Sequence, residues 1–231
     1  CANSICGAAR ACILTGKHSH KNGFLRNGNR FDGSQMTFPK LMQDAGYQTA
    51  IIGKWHLSSN PTGFNHWEVL PGQGSYYNPD LIQMNGEKKR YEGYCTDIIT
   101  ENALAWLKDK RDPDKPFILM CQHKAPHRNW SPPPRHFSLY KGVDIPEPET
   151  LFDDYAGRSK LLRENEMSLK DHFFWGHDMK FHGESQYPEQ FRPGLANGEY
   201  RRMTDAQKAE WDAAYQPEND KFLKEMKAGE L

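Results

Sequence analysis

The chain has 231 residues, with 30 Lys and Arg balanced by 30 Asp and Glu, a sequence pI near 7.3 and a mean hydropathy of −0.88. That length suits one domain or part of a larger one, and the balanced charge argues against attraction to a polyanion, so no nucleic acid partner is expected. No run approaches the ~18 apolar residues of a membrane span; no signal peptide is legible either, and a chain opening on Cys1 reads as a fragment cut from a longer one.

In chain order, the first expected element is a helix over Ala8–Leu14, followed by a helix over Phe38–Ala45 and a strand over Thr49–Ile52. A further helix is expected over Thr96–Lys108, with Ile98, Ile99, Ala103, Trp106 and Leu107 forming one core-facing stripe. Phe117–Cys121 reads as a second strand bounded by breakers. Strands alternating with helices at this spacing predict an α/β fold with a mostly parallel sheet flanked by helices. Two strands are too few for a sheet covered on both faces, so further strands are expected outside the chain. Past residue 130 the character changes: Pro132, Pro133 and Pro134 stand together, and Pro146 and Pro148 extend the break. Helices are expected near 159–170, 204–215 and 217–228, with no strong strand. Residues 1–130 therefore read as the sheet, and 131–231 as a helical and loop excursion rather than a second domain with its own core.

Five cysteines (Cys1, Cys6, Cys12, Cys95 and Cys121) form no Cys-x-x-Cys pair, which argues against a zinc or dithiol motif, and they are too sparse for a disulfide scaffold. Cys6 stands just ahead of helix-forming residues, with Arg10 one turn further on. Free N–H groups at a helix start, together with a guanidinium, suit a tetrahedral oxyanion and lower the pKa of a thiol placed there. On spacing alone, a small buried cysteine at a strand–helix turn remains the competing explanation.

The run Cys6-Gly7-Ala8-Ala9-Arg10, continued by Ala11-Cys12-Ile13-Leu14-Thr15-Gly16-Lys17, resembles the signature of the type I sulfatases. In that family the cysteine is oxidised to formylglycine. Where many members read Cys-x-Pro-Ser-Arg, this chain has Ala8 and Ala9, a form similar to bacterial members matured by a radical enzyme. Ile51 to Leu57 resembles the second signature of the family, whose lysine and histidine reach the sulfate group; here these are Lys54 and His56, which a strand period of two would place on one face. Phe117 to His127 resembles the third landmark, in which a strand delivers a histidine to the leaving-group side. His127 matches it.

The resemblance implies an alkaline phosphatase-like α/β sandwich, incomplete in this chain, and hydrolysis of sulfate monoesters. A hydrated formylglycine attacks sulfur, the alcohol leaves, and the second hydroxyl of the diol lets the sulfated intermediate collapse to aldehyde and sulfate. It also implies a calcium ion bound by the formylglycine at position 6 and by aspartate and asparagine ligands outside this chain. Arg10 would stabilise the formylglycine, Lys54 would bind it and the sulfate, His56 would position the diol, and His127 would serve the leaving oxygen. The run His123 to Trp130, with Gly72 to Pro79 and Asp153 to Arg158, resembles bacterial N-acetylglucosamine-6-sulfatases, which makes His123, Arg128 and Trp130 candidates for sugar contact. The partners so implied are a sulfated glycan and a formylglycine-generating enzyme, and the location is periplasmic or extracellular. The rival expectations are a phosphonate or phosphate monoester hydrolase of the same superfamily, or a non-catalytic carbohydrate-binding remnant.

Three other features carry less. Asp153-Asp154 follows a Pro-rich loop and reads as a carboxylate pair at a helix N-terminus. His172, His177 and His182 recur every five residues, which does not stack on one helix face. Gly72 to Asn78 lacks the Gly-Lys-Ser/Thr ending of a phosphate loop and resembles a loop of glycan-acting bacterial sulfatases.

Overall fold

The computed structural model describes residues 3–181 and 198–228 and divides into two units, one up to His127 and one from Arg128 onward. In the first unit, β1 (Gln48–Lys54) centres on the apolar run Ala50-Ile51-Ile52 and is buried from Thr49 to Lys54, as a central strand requires. It pairs in parallel with β2 (His66–Leu70) on one side and β5 (Phe117–Gln122) on the other. On the far side of β2, the strands β3 (Asp80–Gln83) and β4 (Lys88–Arg90) add antiparallel, giving the order β4-β3-β2-β1-β5.

Three helices precede β1: α1 (Cys6–Thr15), the single turn α2 (Ser19–Asn22), and α3 (Phe38–Asp44) with Pro39 in its first turn. Alternation along β1 sorts its side chains into two cores. Ile51 faces α1, where Ala8, Ala11 and Leu14 meet Phe24, Trp55, Trp67 and Val69. Ala50 and Ile52 face α4 (Cys95–Ala105), where Ile98, Ile99, Ala103 and Trp106 close the other side. The helical turns continue past Ala105 as a wider π-helical stretch over Trp106–Lys110. Each buried Ile or Leu in these layers contributes about 1.5–3 kcal/mol relative to an exposed one.

The expected strands are present as β1 and β5, but three strands the sequence did not announce lie inside the chain. β2 carries His66 and Glu68 among its apolar residues, and β4 is three exposed charged residues, so neither shows a clean hydrophobic period. Glu68 is nonetheless 5% exposed. Its carboxylate accepts from Tyr91 Oη at 3.0 Å, Asn102 Nδ2 at 3.0 Å and Gln83 Nε2 at 3.2 Å, with His66 at 3.4 Å and Lys110 at 3.5 Å. Burial alone would raise its pKa; the surrounding donors and the Lys110 charge outweigh burial and bring it down to about 2, against an ordinary 4.5. A carboxyl with a depressed folded-state pKa stabilises fully above its unfolded value and loses that contribution as pH falls through the folded one. Unfolding free energy is therefore expected to drop between pH 4.5 and about pH 2. In Glu68→Gln, urea titrations across that window should show a shallower fall.

The second unit has its own contacts. A helix spans Asp205–Ala228 without a break at Pro217, where two helices were expected, because a proline φ near −65° is itself helical and only one backbone N–H is forgone. The helix expected near 159–170 is instead two short ones, Lys160–Arg163 and Leu169–His172. Trp211 is buried beside Tyr215 and Phe137. No helix among the described residues is long and apolar enough to cross a membrane.

Candidate active site

Cys6 is the first residue of α1 and is half-buried. Nothing caps the helix start from its own N-cap residue, Ile5, which is extended. The chain from Phe24 to Asn27 folds back and supplies the missing partner: the Gly7 N–H donates to Asn27 Oδ1 at 3.1 Å, and Asn27 Nδ2 donates to Cys6 Sγ at 3.3 Å. Gly7 has to be glycine for this approach, since a Cβ there would lie 2.8 Å from both Asn27 Oδ1 and Phe24 Cε1.

One turn on, Arg10 points at the carboxyl ends of two strands. Its Nη1 donates to the Lys54 carbonyl at 2.9 Å and to Gln122 Oε1 at 2.6 Å, tying α1 to β1 and β5. Lys54 is 3% exposed and donates from Nζ to Gln73 Oε1 at 2.5 Å, while Gln73 Nε2 reaches back to Cys6 Sγ at 3.9 Å. His56 places Nδ1 3.2 Å from the same sulfur. The strand ends at Lys54, and His56 follows in the left-handed region at φ 55°. Lys54 thus comes from the last position of the strand and His56 from the turn that follows it, so strand alternation does not by itself describe the pair.

The electrostatics are those of a partly buried cationic pocket. Burial pushes the Cys6 thiol up, but the hydrogen bond from Asn27, the Lys54 charge, Gln73 and the Gly7 N–H together bring it below the ordinary cysteine value. Burial, and then the nearby Arg10 and Lys124, lower Lys54 to about 8, so it is still charged at neutral pH. His56 is lowered by burial and by the charges of Lys54, Arg10 and His127, which keeps its imidazole neutral and able to accept or donate. Amide donors on the sulfur, with the Arg10 and Lys54 charges nearby, make a place suited to an anion.

The other expected residues divide between the units. His127 lies close enough for its charge to act on His56, and its carbonyl accepts from Tyr76 Oη at 2.6 Å. His123 sits 3.6 Å from Cys121 Sγ, with a buried Nδ1 that has no hydrogen-bond partner among the described residues. Arg128 and Trp130 belong to the second unit. There Arg128 forms a two-pronged ion pair with the buried Asp178 and donates to the His172 carbonyl at 2.8 Å, and Trp130 stacks on Phe173 at 5.8 Å.

Asp153 and Asp154 do not start a helix: they accept from the Tyr155 and Ala156 N–H groups, and Asp153 also pairs with Arg158 at 2.7 Å. A short acidic side chain satisfies a local turn as readily as a helix end, and the next helix begins only at Lys160. His172 and His177 fall in separate short helices, and His182 lies outside the described residues. None of Cys6, Cys12, Cys95 and Cys121 is joined in a disulfide. Asn27, Gln73, Gln122 and Lys124 were not anticipated as site residues; the three amides carry no charge or periodicity to mark them.

A calcium ion takes six to eight oxygen ligands. The groups around Cys6 are a guanidinium, an ammonium, an imidazole and amides, and among the described residues no three His, Cys, Asp or Glu side chains cluster as a metal site. These residues do not by themselves fit the ion.

A model of the sulfatase family matches residues 1–205. The chain is 48% identical to N-acetylglucosamine-6-O-sulfatase of Bacteroides thetaiotaomicron over 216 residues, which cover 92% of this chain and 38% of that protein. It is 29% identical to N-acetylglucosamine-6-sulfatase of Homo sapiens over 187 residues, 70% of this chain and 34% of that one. The chain thus spans little more than a third of the length of these relatives. Among solved structures, BT4656 in complex with its substrate D-glucosamine-2-N,6-O-disulfate superposes with a TM-score of 0.86 at 46% identity, covering 96% of this chain and 45% of that one. Ps i-CgsB in complex with k-i-k-neocarrahexaose, at 21% identity and a TM-score of 0.56 over 62% of this chain and 40% of that one, shares the fold alone.

Proposed function

Because the chain belongs to the sulfatase family, with its alkaline phosphatase-like α/β fold, we propose that it carries the nucleophile half of a sulfuric ester hydrolase acting on 6-O-sulfated N-acetylglucosamine units of glycans. The observation that carries this reading is the convergence of Arg10, Lys54 and His56 on Cys6 from α1 and the end of β1. The name of the 48% identical relative and the substrate in the BT4656 structure support the choice of sugar.

In this reading Cys6 is converted to formylglycine, whose hydrated aldehyde supplies a nucleophile that can be regenerated without a second attack on sulfur. The remaining steps belong to the residues around it. The Asn27 amide holds the residue at position 6 at the helix start, and Arg10, anchored by Gln122 and the Lys54 carbonyl, sets its charge nearby. Lys54 places a positive charge beside the sulfate, where negative charge accumulates as the ester bond breaks. His56, neutral and in contact with position 6, accepts the proton released as the hydroxyl attacks. His127 serves the departing oxygen. Gln73 keeps the Lys54 ammonium pointed at the same spot.

The test is sulfate release from N-acetylglucosamine-6-sulfate by the full-length protein, produced with a formylglycine-generating enzyme, against the matching phosphate ester. Faster turnover of the sulfate ester is expected; an equal or higher rate on phosphate would reject the sulfatase reading. Mass analysis of the peptide containing Cys6 should show an aldehyde there, with thiols kept at Cys1, Cys12, Cys95 and Cys121. A thiol alone at position 6 under those conditions would remove the nucleophile assigned here.

A further inference from the structure

His56 also lines a cavity of about 270 Å³. Its polar rim is Arg30, Ser59 and Asn60, and Leu70 and Pro71 supply an apolar wall. A second cavity of about 470 Å³ shares Arg30, Ser59 and Asn60 and runs on to Gly33 and Thr62. The two share these three lining residues and so adjoin in one groove with His56 in its wall, and the larger cavity alone falls in the size range of a ligand site, roughly 300–1,000 Å³.

The loop that forms the groove is built to hold its shape. Trp55 Nε1 donates to the Ser59 carbonyl at 2.6 Å, the Phe31 N–H to the Leu57 carbonyl at 2.9 Å, and Arg30 Nη1 to the Ser58 carbonyl at 2.8 Å. His56 and Ser58 both take left-handed backbone at φ 55°, a conformation that these surrounding bonds maintain. Two groups remain unused. Ser59 Oγ is buried with no hydrogen-bond partner among the described residues, and Arg30 makes no further hydrogen bond with its remaining guanidinium N–H groups among those residues. Asp32, at the far end, is occupied by the N–H and hydroxyl of Ser34.

A polar rim over an apolar wall suits a pyranose, and a guanidinium with spare donors suits a sulfate or carboxylate. We propose that this groove binds the sugar adjoining the sulfated one in a glycan chain, with Arg30 recognising an anionic substituent on that sugar. This rests on the sulfatase reading and adds to it a preference for sulfate groups whose neighbour in the chain is also charged.

The test compares kcat/KM of the full-length, matured protein on three substrates: a 6-sulfated monosaccharide, a disaccharide carrying the same sulfated unit beside a neutral sugar, and one with an anionic neighbouring sugar. Arg30→Gln should lower kcat/KM on the anionic disaccharide about tenfold more than on the monosaccharide, the scale of one charge-assisted hydrogen bond. Arg30→Lys should recover part of that difference, and Asn60→Ala should weaken both disaccharides relative to the monosaccharide. Equal losses on all three substrates would mean that Arg30 acts only through the Ser58 loop on His56, and no loss on any would mean that the groove binds no sugar. Either result overturns the proposal while leaving the sulfatase reading intact. Failure of the unsubstituted protein to release sulfate from any of the three overturns the sulfatase reading itself.

Discussion

Replacing Cys6 with alanine in the full-length protein is expected to abolish sulfate release, with a fall in kcat on the order of 10⁶-fold, the scale seen when a catalytic nucleophile is removed. The fold should survive. Cys6 is half-buried at the first position of α1, and its contacts with Asn27, Gln73 and His56 are made by an atom that alanine simply lacks. The Gly7 N–H keeps its bond to Asn27, so the helix start remains satisfied. Cys6→Ser is the sharper test. A serine keeps a hydroxyl of similar size but, once sulfated, has no second hydroxyl to expel the sulfate, so at most one turnover per enzyme should be seen. Sustained turnover by Cys6→Ser, followed as sulfate released against time, would mean that no formylglycine is needed.

Gly53→Ala should be the most damaging single methyl group that can be added to the sheet. Gly53 sits at φ 107°, where an L side chain is strained, and a Cβ there would lie 2.0 Å from the Gln122 carbonyl oxygen of the paired strand. Overpacking costs about 1–3 kcal/mol and the backbone conformation about 1–3 kcal/mol more. The strand can relieve this only by separating β1 from β5, and the same movement pulls the Lys54 carbonyl and Gln122 away from Arg10. A loss of about 3 kcal/mol or more in urea unfolding is therefore expected together with a large drop in kcat. Wild-type stability in Gly53→Ala would show that β1 and β5 do not pair in this register.

Residues that carry charge within a short motif, and strands with a long apolar run, are legible in the amino-acid sequence itself. Cys6 and Arg10 lie within one such motif, Lys54 and His56 within another, and β1 and β5 are apolar enough to read as strands. β2 is hidden because Glu68 and His66 interrupt it, and Glu68 is tolerated there only through donors that arrive from Tyr91, Gln83 and Asn102, far along the chain. The β3–β4 hairpin has a local signal in Asn85-Gly86, with Gly86 at φ 85° closing the turn, but its strands are too short and charged to show a period. Asn27, Gln73 and Gln122 cannot be picked out, since a neutral amide becomes a site residue only through what the fold sets beside it.

The Arg10 guanidinium bonds to positions 44 and 112 residues away along the chain. Closing contacts of such long span costs chain entropy that local helix formation does not. During refolding, α1 and α4 can regain helical structure while Arg10 still lacks both acceptors, and the anion receptor exists only once β5 has docked alongside β1. Catalytic competence should accordingly return in a slower phase than the far-ultraviolet signal of the helices.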